Sequence, residues 1–347
     1  MCARGDTRRV VSIAGATQPM LILDAARTRE HLPFPALIAA LRERFIGGCE
    51  VPTRQTHTIE SPTGDGTLLL MPAWRPGGRL GLKSVTVFPG NRSVGKPALH
   101  STYLLFDAST GEPLALLDGD EITARRTAAA SALAASLLAR ADARRLLVVG
   151  AGRVGALLPE AMKGVRPVED VQVWNRGSAG AETLAARLRA EGFRATACTD
   201  LEAAVRSADI VSCATLATAP LVRGAWLSAG SHLDLIGSFT PAMRESDAAC
   251  FAQSRVFVDT LEALAKSGDV LLARAEGAFA DRDLQGTLAD LCAGRRTGRR
   301  NATEKTLFKS VGTALEDLAA AELVYDALRG AGASDMLPAS STRTELP

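Results

Sequence analysis

Residues 146–155 read LLVVGAGRVG. An apolar run ends at Gly150, Gly152 and Gly155, spaced G-x-G-x-x-G. The pattern alone is weak. Its context raises it: a strand-like run precedes it, a helix is expected to open after it, and it heads a series of alternating units. Each glycine has a physical task. Gly150 permits the tight turn, Gly152 lets backbone approach a pyrophosphate, and Gly155 lets helix pack on strand. The helix start would then offer unpaired N–H groups to phosphate. Pro159 falls late in the second turn of that expected helix, where a regular helix does not accommodate it.

The same alternation extends outward. Further strands are expected at VQVW (171–174), RATAC (194–198), DIVSCAT (209–215), SHLDLIG (231–237) and SRVFVDT (254–260). Helices are expected at AGAETLAARLRAEG (179–192) and at DLEAAVRSA (200–208), with Asp200 as N-cap. This order predicts an α/β fold, a Rossmann doubly wound parallel sheet over 128–311.

Residues 1–127 read differently. A helix over LPFPALIAALRERFIGG (32–48) is followed by short runs broken at turns, among them GTLLLMPAW, RLGLKSVTVFP and STYLLFDASTGEPLALLDG. These suggest hairpins, hence an α+β domain for substrate binding and dimerisation. The Ala-rich TAAASALAASLLAR (127–140) is expected to cross between domains, and GTALEDLAAAELVYDAL (312–328) to return, so that 312–330 complete the first. Residues 1–20 are Arg-rich without a continuous apolar stretch and read as a flexible tail of a cytoplasmic protein; 331–347 read as a disordered tail.

The bulk numbers suit a soluble two-domain protein: 347 residues, 47% hydrophobic, 22% charged, net charge +2. That balance points to neither a nucleic-acid nor a membrane partner. The six Cys form no CxxC pair and the four His do not cluster with them, so no metal site is expected. Only six basic residues are Lys, and Lys83 is the only one before Lys96.

About twenty residues past the glycines, an NAD enzyme usually places an acid that binds the ribose hydroxyls. Here VQVW ends in Asn175-Arg176-Gly177-Ser178. An Arg with amide and hydroxyl neighbours suits a 2′-phosphate, which makes NADPH the expected cofactor, with NADH possible as a second. Three other basic residues stand in unusual places: Arg54 in VPTRQ, Lys83 inside an apolar strand, and Arg126 in ITARRTAAASA, read as the start of the Ala-rich helix. A lone Lys in a strand usually snorkels at a sheet edge. An Arg at a helix N-terminus is unfavourable unless it meets an anion.

Together VPTR, LGLKSV, LLFDASTGEPLALLDG, ITARRTAAASA, GAGRVG, GSFTPAMRE and TLFKSVGTALED resemble the ornithine cyclodeaminase/mu-crystallin family, over roughly Leu21 to Leu328. The resemblance implies a homodimer with a Rossmann domain, acting on the Cα–N bond of small amino acids through a nicotinamide. Family members include cyclodeaminases, alanine dehydrogenases, cyclic-ketimine reductases and a hormone-binding crystallin. It further implies that Arg54, Lys83 and Arg126 surround the substrate carboxylate, with Arg126 shared with the cofactor phosphate. Arg153 and Val154 would lie over the pyrophosphate. Thr215, Ile236, Gly237, Ser310 and Val311 would contact the cofactor, and Gly312 the substrate.

One departure is informative. In DLIGSFTPAMRESD (234–247), cyclodeaminases of the family carry an Asp where this chain has Phe239. A phenyl ring cannot move protons. The GSFTPxMRE pattern is instead similar to the ketimine reductases, with Phe239 as an apolar wall beside a cyclic imine. The expected substrate is therefore a cyclic imino acid, Δ1-pyrroline-2-carboxylate or its six-membered homologue, with Lys83 or a water as proton donor. Ornithine cyclodeamination, an alanine-type dehydrogenase and a non-catalytic NADPH-dependent binder are the alternatives.

Overall fold

A computed structural model describes residues 9–11, 13, 18–61 and 64–334. Two sheets organise it. The first holds β1 (Arg9–Val11), β2 (Met20–Ile22), β3 (Gln55–Ile59), β4 (Gly66–Trp74), β5 (Arg79–Val87), β6 (Leu99–Asp107) and β7 (Pro113–Asp118), in the order β1-β2-β7-β6-β5-β4-β3. It is antiparallel except where β2 runs parallel to β7. Helices α1 (Ala25–Glu30) and α2 (Phe34–Gly47) follow β2 in the chain, and α3 (Gly119–Leu138) leaves β7 for the second sheet. Helix α2 ends at Gly48, whose φ of 67° only glycine adopts easily.

Strand alternation sets the two faces of this sheet. Met71, Lys83 and Tyr103 stand opposite one another across β4, β5 and β6, and all are buried. On the reverse face Pro72, Leu82, Leu104 and Leu116 make a continuous row across four strands and stay half-exposed.

The second sheet holds β8 (Arg145–Val149), β9 (Asp170–Trp174), β10 (Arg194–Ala197), β11 (Ile210–Cys213), β12 (His232–Leu235), β13 (Arg255–Val258), β14 (Leu284–Thr287) and β15 (Thr306–Lys309). All pair in parallel, in the order β10-β9-β8-β11-β12-β15-β13-β14. Chain direction across the sheet reverses between β8 and β11, which opens a crevice at their C-terminal ends. The crossovers include α4 (Leu158–Lys163), α5 (Ser178–Ala190), α6 (Leu201–Ser207), α7 (Ala248–Ala252), α8 (Ala263–Lys266), α9 (Gly268–Ala275) and α10 (Leu288–Cys292). Asp200 caps α6 as expected, accepting from Ala203 N at 3.0 Å. The last helix, α11 (Ala314–Ser334), packs on α2, α3, β4 and β5 of the first sheet.

Four expectations need correcting. Helix α3 starts at Gly119, not at 127, because Asp118 caps it by accepting from Glu121 N at 2.7 Å; Arg126 is therefore two turns inside it. The helix after the glycine loop starts only at Leu158, which puts Pro159 in the first turn, where its missing N–H costs nothing. Arg9–Val11, read as tail, pairs antiparallel with β2. Helix α11 runs through Ser334, four residues into the segment read as disordered; residues 335–347 lie outside the described residues. Among the described residues no helix is long and apolar enough to cross a membrane.

Candidate active site

The crevice at the β8/β11 reversal is a cleft of about 300 Å³, lined by Gly150, Gly152, Trp174, Asn175, Arg176, Ala214, Thr215, Leu216, Ala217 and Leu221. The glycines behave as their spacing requires. Gly150 has φ 108°, and a Cβ there would stand 2.6 Å from Ala214 O. A Cβ on Gly155 would lie 1.9 Å from Gly150 O, whereas one on Gly152 would meet open space. Backbone is thus exposed at Gly152 for close approach by a phosphate. Val154 packs partly buried against the core. These features fit a dinucleotide.

Side chains around the loop are more committed than their sequence positions suggest. Asn175 Oδ1 accepts from Ala151 N at 3.2 Å and its Nδ2 donates to Gly177 O at 3.0 Å, so this amide braces the loop instead of standing free for a phosphate. Arg176 is exposed on the cleft lining and has no ion pair among the described residues. Arg153 is engaged as well: its Nη2 donates to Glu121 Oε2 at 2.8 Å. Glu121, buried at the start of α3, also receives both Nε and Nη2 of Arg29, at 2.8 and 3.0 Å. Burial would raise the Glu121 carboxyl, but the two guanidiniums hold it below the usual range.

The ends of β11 and β12 are joined by a residue that sequence reasoning left aside. Glu245 folds back under the turn that carries Phe239 and is fully buried. Its Oε1 accepts from Thr215 N at 2.7 Å and Thr215 Oγ1 at 2.8 Å, and its Oε2 from Gly237 N at 2.7 Å. Ile236 is buried beside Gly237. Across β15, Ser310 N bonds Leu235 O at 3.1 Å, and Asp259 at the end of β13 accepts from Val311 N and Gly312 N, each at 2.7 Å.

Next to Gly312 lies a second, much smaller cleft of about 10 Å³, lined by Val51, Pro52, Arg54, Met71, Glu262, Gly312, Thr313 and Ala314. That volume holds about one water. The side chains beside it form a buried charge cluster. Lys83, directly opposite Met71 in the ladder, is 2% exposed; its Nζ is 2.6 Å from Asp317 Oδ2 and 3.3 Å from Thr123 Oγ1. Arg126 bonds Asp317 Oδ1 through Nε at 2.8 Å and Glu316 Oε2 through Nη1 at 2.5 Å. Gly312, with φ 77°, lies against the same guanidinium: a Cβ there would be 2.6 Å from Nη1. Burial pulls the Lys83 ammonium down to about 8 despite its partner Asp317. Burial pushes Glu316 up to about 7 against the pull of Arg126, while Asp317, buried between two cations, ends below its ordinary value.

Arg54, Lys83, Arg126 and Gly312 are therefore brought together around the small cleft. Arg126 spends Nε on Asp317 and Nη1 on Glu316, so part of its donor set is already committed inside the protein. Arg54 has a buried Nε without a hydrogen-bond partner, and it lines the cleft. Burial pulls Arg54 down, and Glu262 across the cleft opposes that. Phe239 is 43% exposed on its turn and lines neither cleft.

The acids Glu316, Asp317, Asp259 and Glu121 were missed. One signal was available. Asp317 falls on the apolar stripe Ala314, Leu318, Ala321, Val324 of α11, where an acid has no business unless it is paired.

Comparison with known proteins follows the same lines. The ornithine cyclodeaminase/mu-crystallin family profile matches residues 21–332. The chain belongs to that family. A Δ1-pyrroline-2-carboxylate reductase of Colwellia psychrerythraea is 38% identical, over 89% of this chain and 99% of its own. Of solved structures, the Thermococcus litoralis Δ1-pyrroline-2-carboxylate reductase in complex with NADH and L-proline superposes with a TM-score of 0.84 at 32% identity, covering 90% of this chain and 98% of that one. An archaeal alanine dehydrogenase dimer with bound NAD gives 0.82 at 28% identity, covering 90% and 97%. Family membership accounts for the pairing of a Rossmann sheet with a mixed sheet.

Proposed function

We propose that this protein reduces the C=N bond of a cyclic imino acid, converting Δ1-pyrroline-2-carboxylate to L-proline and, with a larger ring, Δ1-piperideine-2-carboxylate to L-pipecolate. The observation that carries the reading is Lys83. It is a buried ammonium whose proton affinity lies near neutrality, beside a cleft with an uncommitted Arg54. The 38% identical reductase and the solved neighbour with L-proline support the same substrate class.

The crevice at Gly150, Gly152 and Thr215 would hold a dihydronicotinamide dinucleotide, which would supply the hydride for the imine carbon. The residues of this chain do the rest. Arg54 orients the substrate carboxylate. Lys83 holds the proton that the ring nitrogen gains as its carbon becomes a C–H centre, and is left as a neutral amine to be recharged from water. Gly312 keeps the wall beside Arg126 thin. At about 10 Å³ the cleft must widen to admit a ring, and it is formed between Arg54 and Met71 on the first-sheet side and Glu262 and Gly312 after the last strands of the second.

Cyclodeamination is disfavoured on this geometry. It needs an ionisable group free to move protons at the substrate amines. Phe239 cannot do so, and all three contacts of the neighbouring acid Glu245 are protein donors.

NADPH is the proposed reductant, on the single support of Arg176, since the Asn175 amide is engaged with backbone. The half-exposed row Pro72, Leu82, Leu104 and Leu116 is the proposed homodimer face, in keeping with the dimeric archaeal neighbour. A cytoplasmic location is proposed with it. The test of the reaction is NADPH oxidation with Δ1-pyrroline-2-carboxylate, with and without ammonia, beside an acyclic 2-oxo acid plus ammonia. A rate that requires ammonia and accepts the acyclic acid would instead identify an alanine-type dehydrogenase.

A further inference from the structure

Lys83 cannot be understood alone. Three other groups carry charge around it: Asp317 from α11, Arg126 from α3 and Arg54 from the loop before β3. Tyr103 stands beside it on β6, and Glu316 lies behind Arg126. Two cations buried side by side repel each other, and only an anion between them makes the arrangement tolerable. Asp317 is that anion. Each of its oxygens serves one cation, Oδ2 facing Lys83 Nζ at 2.6 Å and Oδ1 facing Arg126 Nε at 2.8 Å.

We propose that Asp317 is a positioning residue for proton transfer, fixing the Lys83 ammonium in its charged form beside Arg126. The inference rests on the reductase reading in so far as Lys83 is the donor. Asp317 is fully buried, is not among the residues lining the small cleft, and spends its two oxygens on Lys83 and Arg126, so it acts through those cations and not on substrate. Glu316 pairs with Arg126 through Oε2, and the acid that acts on Lys83 is Asp317.

The charge balance gives the sign. Burial, Arg126 and Arg54 all lower the proton affinity of Lys83, and Asp317 raises it, leaving a value of about 8. A donor of that affinity is charged at pH 7 and is lost as pH rises through about 8. With Asp317 neutralised, only the lowering influences remain, and Lys83 becomes an uncharged amine at neutral pH.

The experiment uses D317N and two readouts. One is the pH profile of kcat/KM for NADPH-dependent reduction of Δ1-pyrroline-2-carboxylate. Substrate titration is common to both proteins and cancels in the difference. The other is a direct titration of Lys83 by NMR in protein carrying 13C at lysine Cε; with six lysines in the chain, Lys83→Arg assigns the signal. D317N should move the alkaline limb and the Lys83 midpoint down together by about one pH unit or more. An unmoved Lys83 midpoint in folded D317N overturns the proposal. Wild-type protein inactive on the imine would instead sink the reductase reading, and the NMR titration would still judge Asp317. Should D317N fail to fold, D317E decides: it keeps the charge, so the limb should stay near the wild-type position while kcat falls about tenfold from the displaced ammonium. A D317E protein with wild-type kcat, or with its limb displaced like that expected for D317N, overturns the proposal.

Discussion

Glu245→Gln is the substitution whose consequence can be worked out most fully. The ionised side chain has two acceptor oxygens, and both face donors: Oε1 takes Thr215 N and Oγ1, and Oε2 takes Gly237 N. Glutamine is the same size but offers one acceptor oxygen. Whichever way its amide turns, its NH2 faces a backbone N–H that has no alternative partner. The loss is one hydrogen bond to a charged group in a buried site, about 1.5–3 kcal/mol. At roughly 2–4 °C per kcal/mol for a chain of this class, the melting temperature should fall by roughly 3–12 °C. Because Thr215 lines the crevice proposed to take the nucleotide and Gly237 adjoins it at the strand end, NADPH affinity should fall too. Thermal unfolding and fluorescence titration with NADPH measure both. Burial raises the proton affinity of Glu245, so the competing possibility is concrete. A Glu245 that carried a proton would be mimicked by glutamine. A variant with unchanged melting temperature and unchanged NADPH affinity would therefore refute the ionised clamp.

Lys83→Met should lower kcat by about 10²–10⁴-fold, the usual contribution of a positioned acid, with NADPH affinity intact by titration. Arg54→Ala should chiefly raise KM for the imino acid, by roughly tenfold or more from one lost charge-assisted contact, as read from steady-state kinetics. Arg176→Ala should cost roughly tenfold or more in kcat/KM with NADPH and little with NADH; a wild type that favours NADH would remove Arg176 from the account. L-Ornithine with either oxidised cofactor should yield neither proline nor ammonia in product assays.

Much of the fold was legible because it is written in short-range signals. The glycine spacing, the runs of β-branched residues and the Asp200 cap place the parallel sheet, and turn residues place the hairpins. What escaped depended on partners distant in sequence. Strand β1 is three residues long and exists by pairing with β2. The start of α3 was legible after all: Asp118 followed by Asp120 and Glu121 is a cap with acidic residues in the first turn, and the Ala-rich run drew attention past it. The basic half of the site was visible because Lys83 and Arg126 sit in apolar surroundings. Its acidic half, Glu316 and Asp317, looked like ordinary acids in a helix's first turn, and only the packing of α11 against β5 shows what they neutralise. The partners of Asn175 and Arg153 were invisible for the same reason: Ala151 N and Glu121, which engage them, adjoin them only in space.

The central claim is hydride delivery to the carbon of a cyclic imine, without ammonia. Its most direct test is a single turnover mixture of the protein, Δ1-pyrroline-2-carboxylate and NADPH dideuterated at C4, in ammonia-free buffer, with proline analysed by mass spectrometry. Hydride transfer to the imine carbon yields L-proline carrying one deuterium, located at Cα. No proline, or proline without that deuterium, would contradict it.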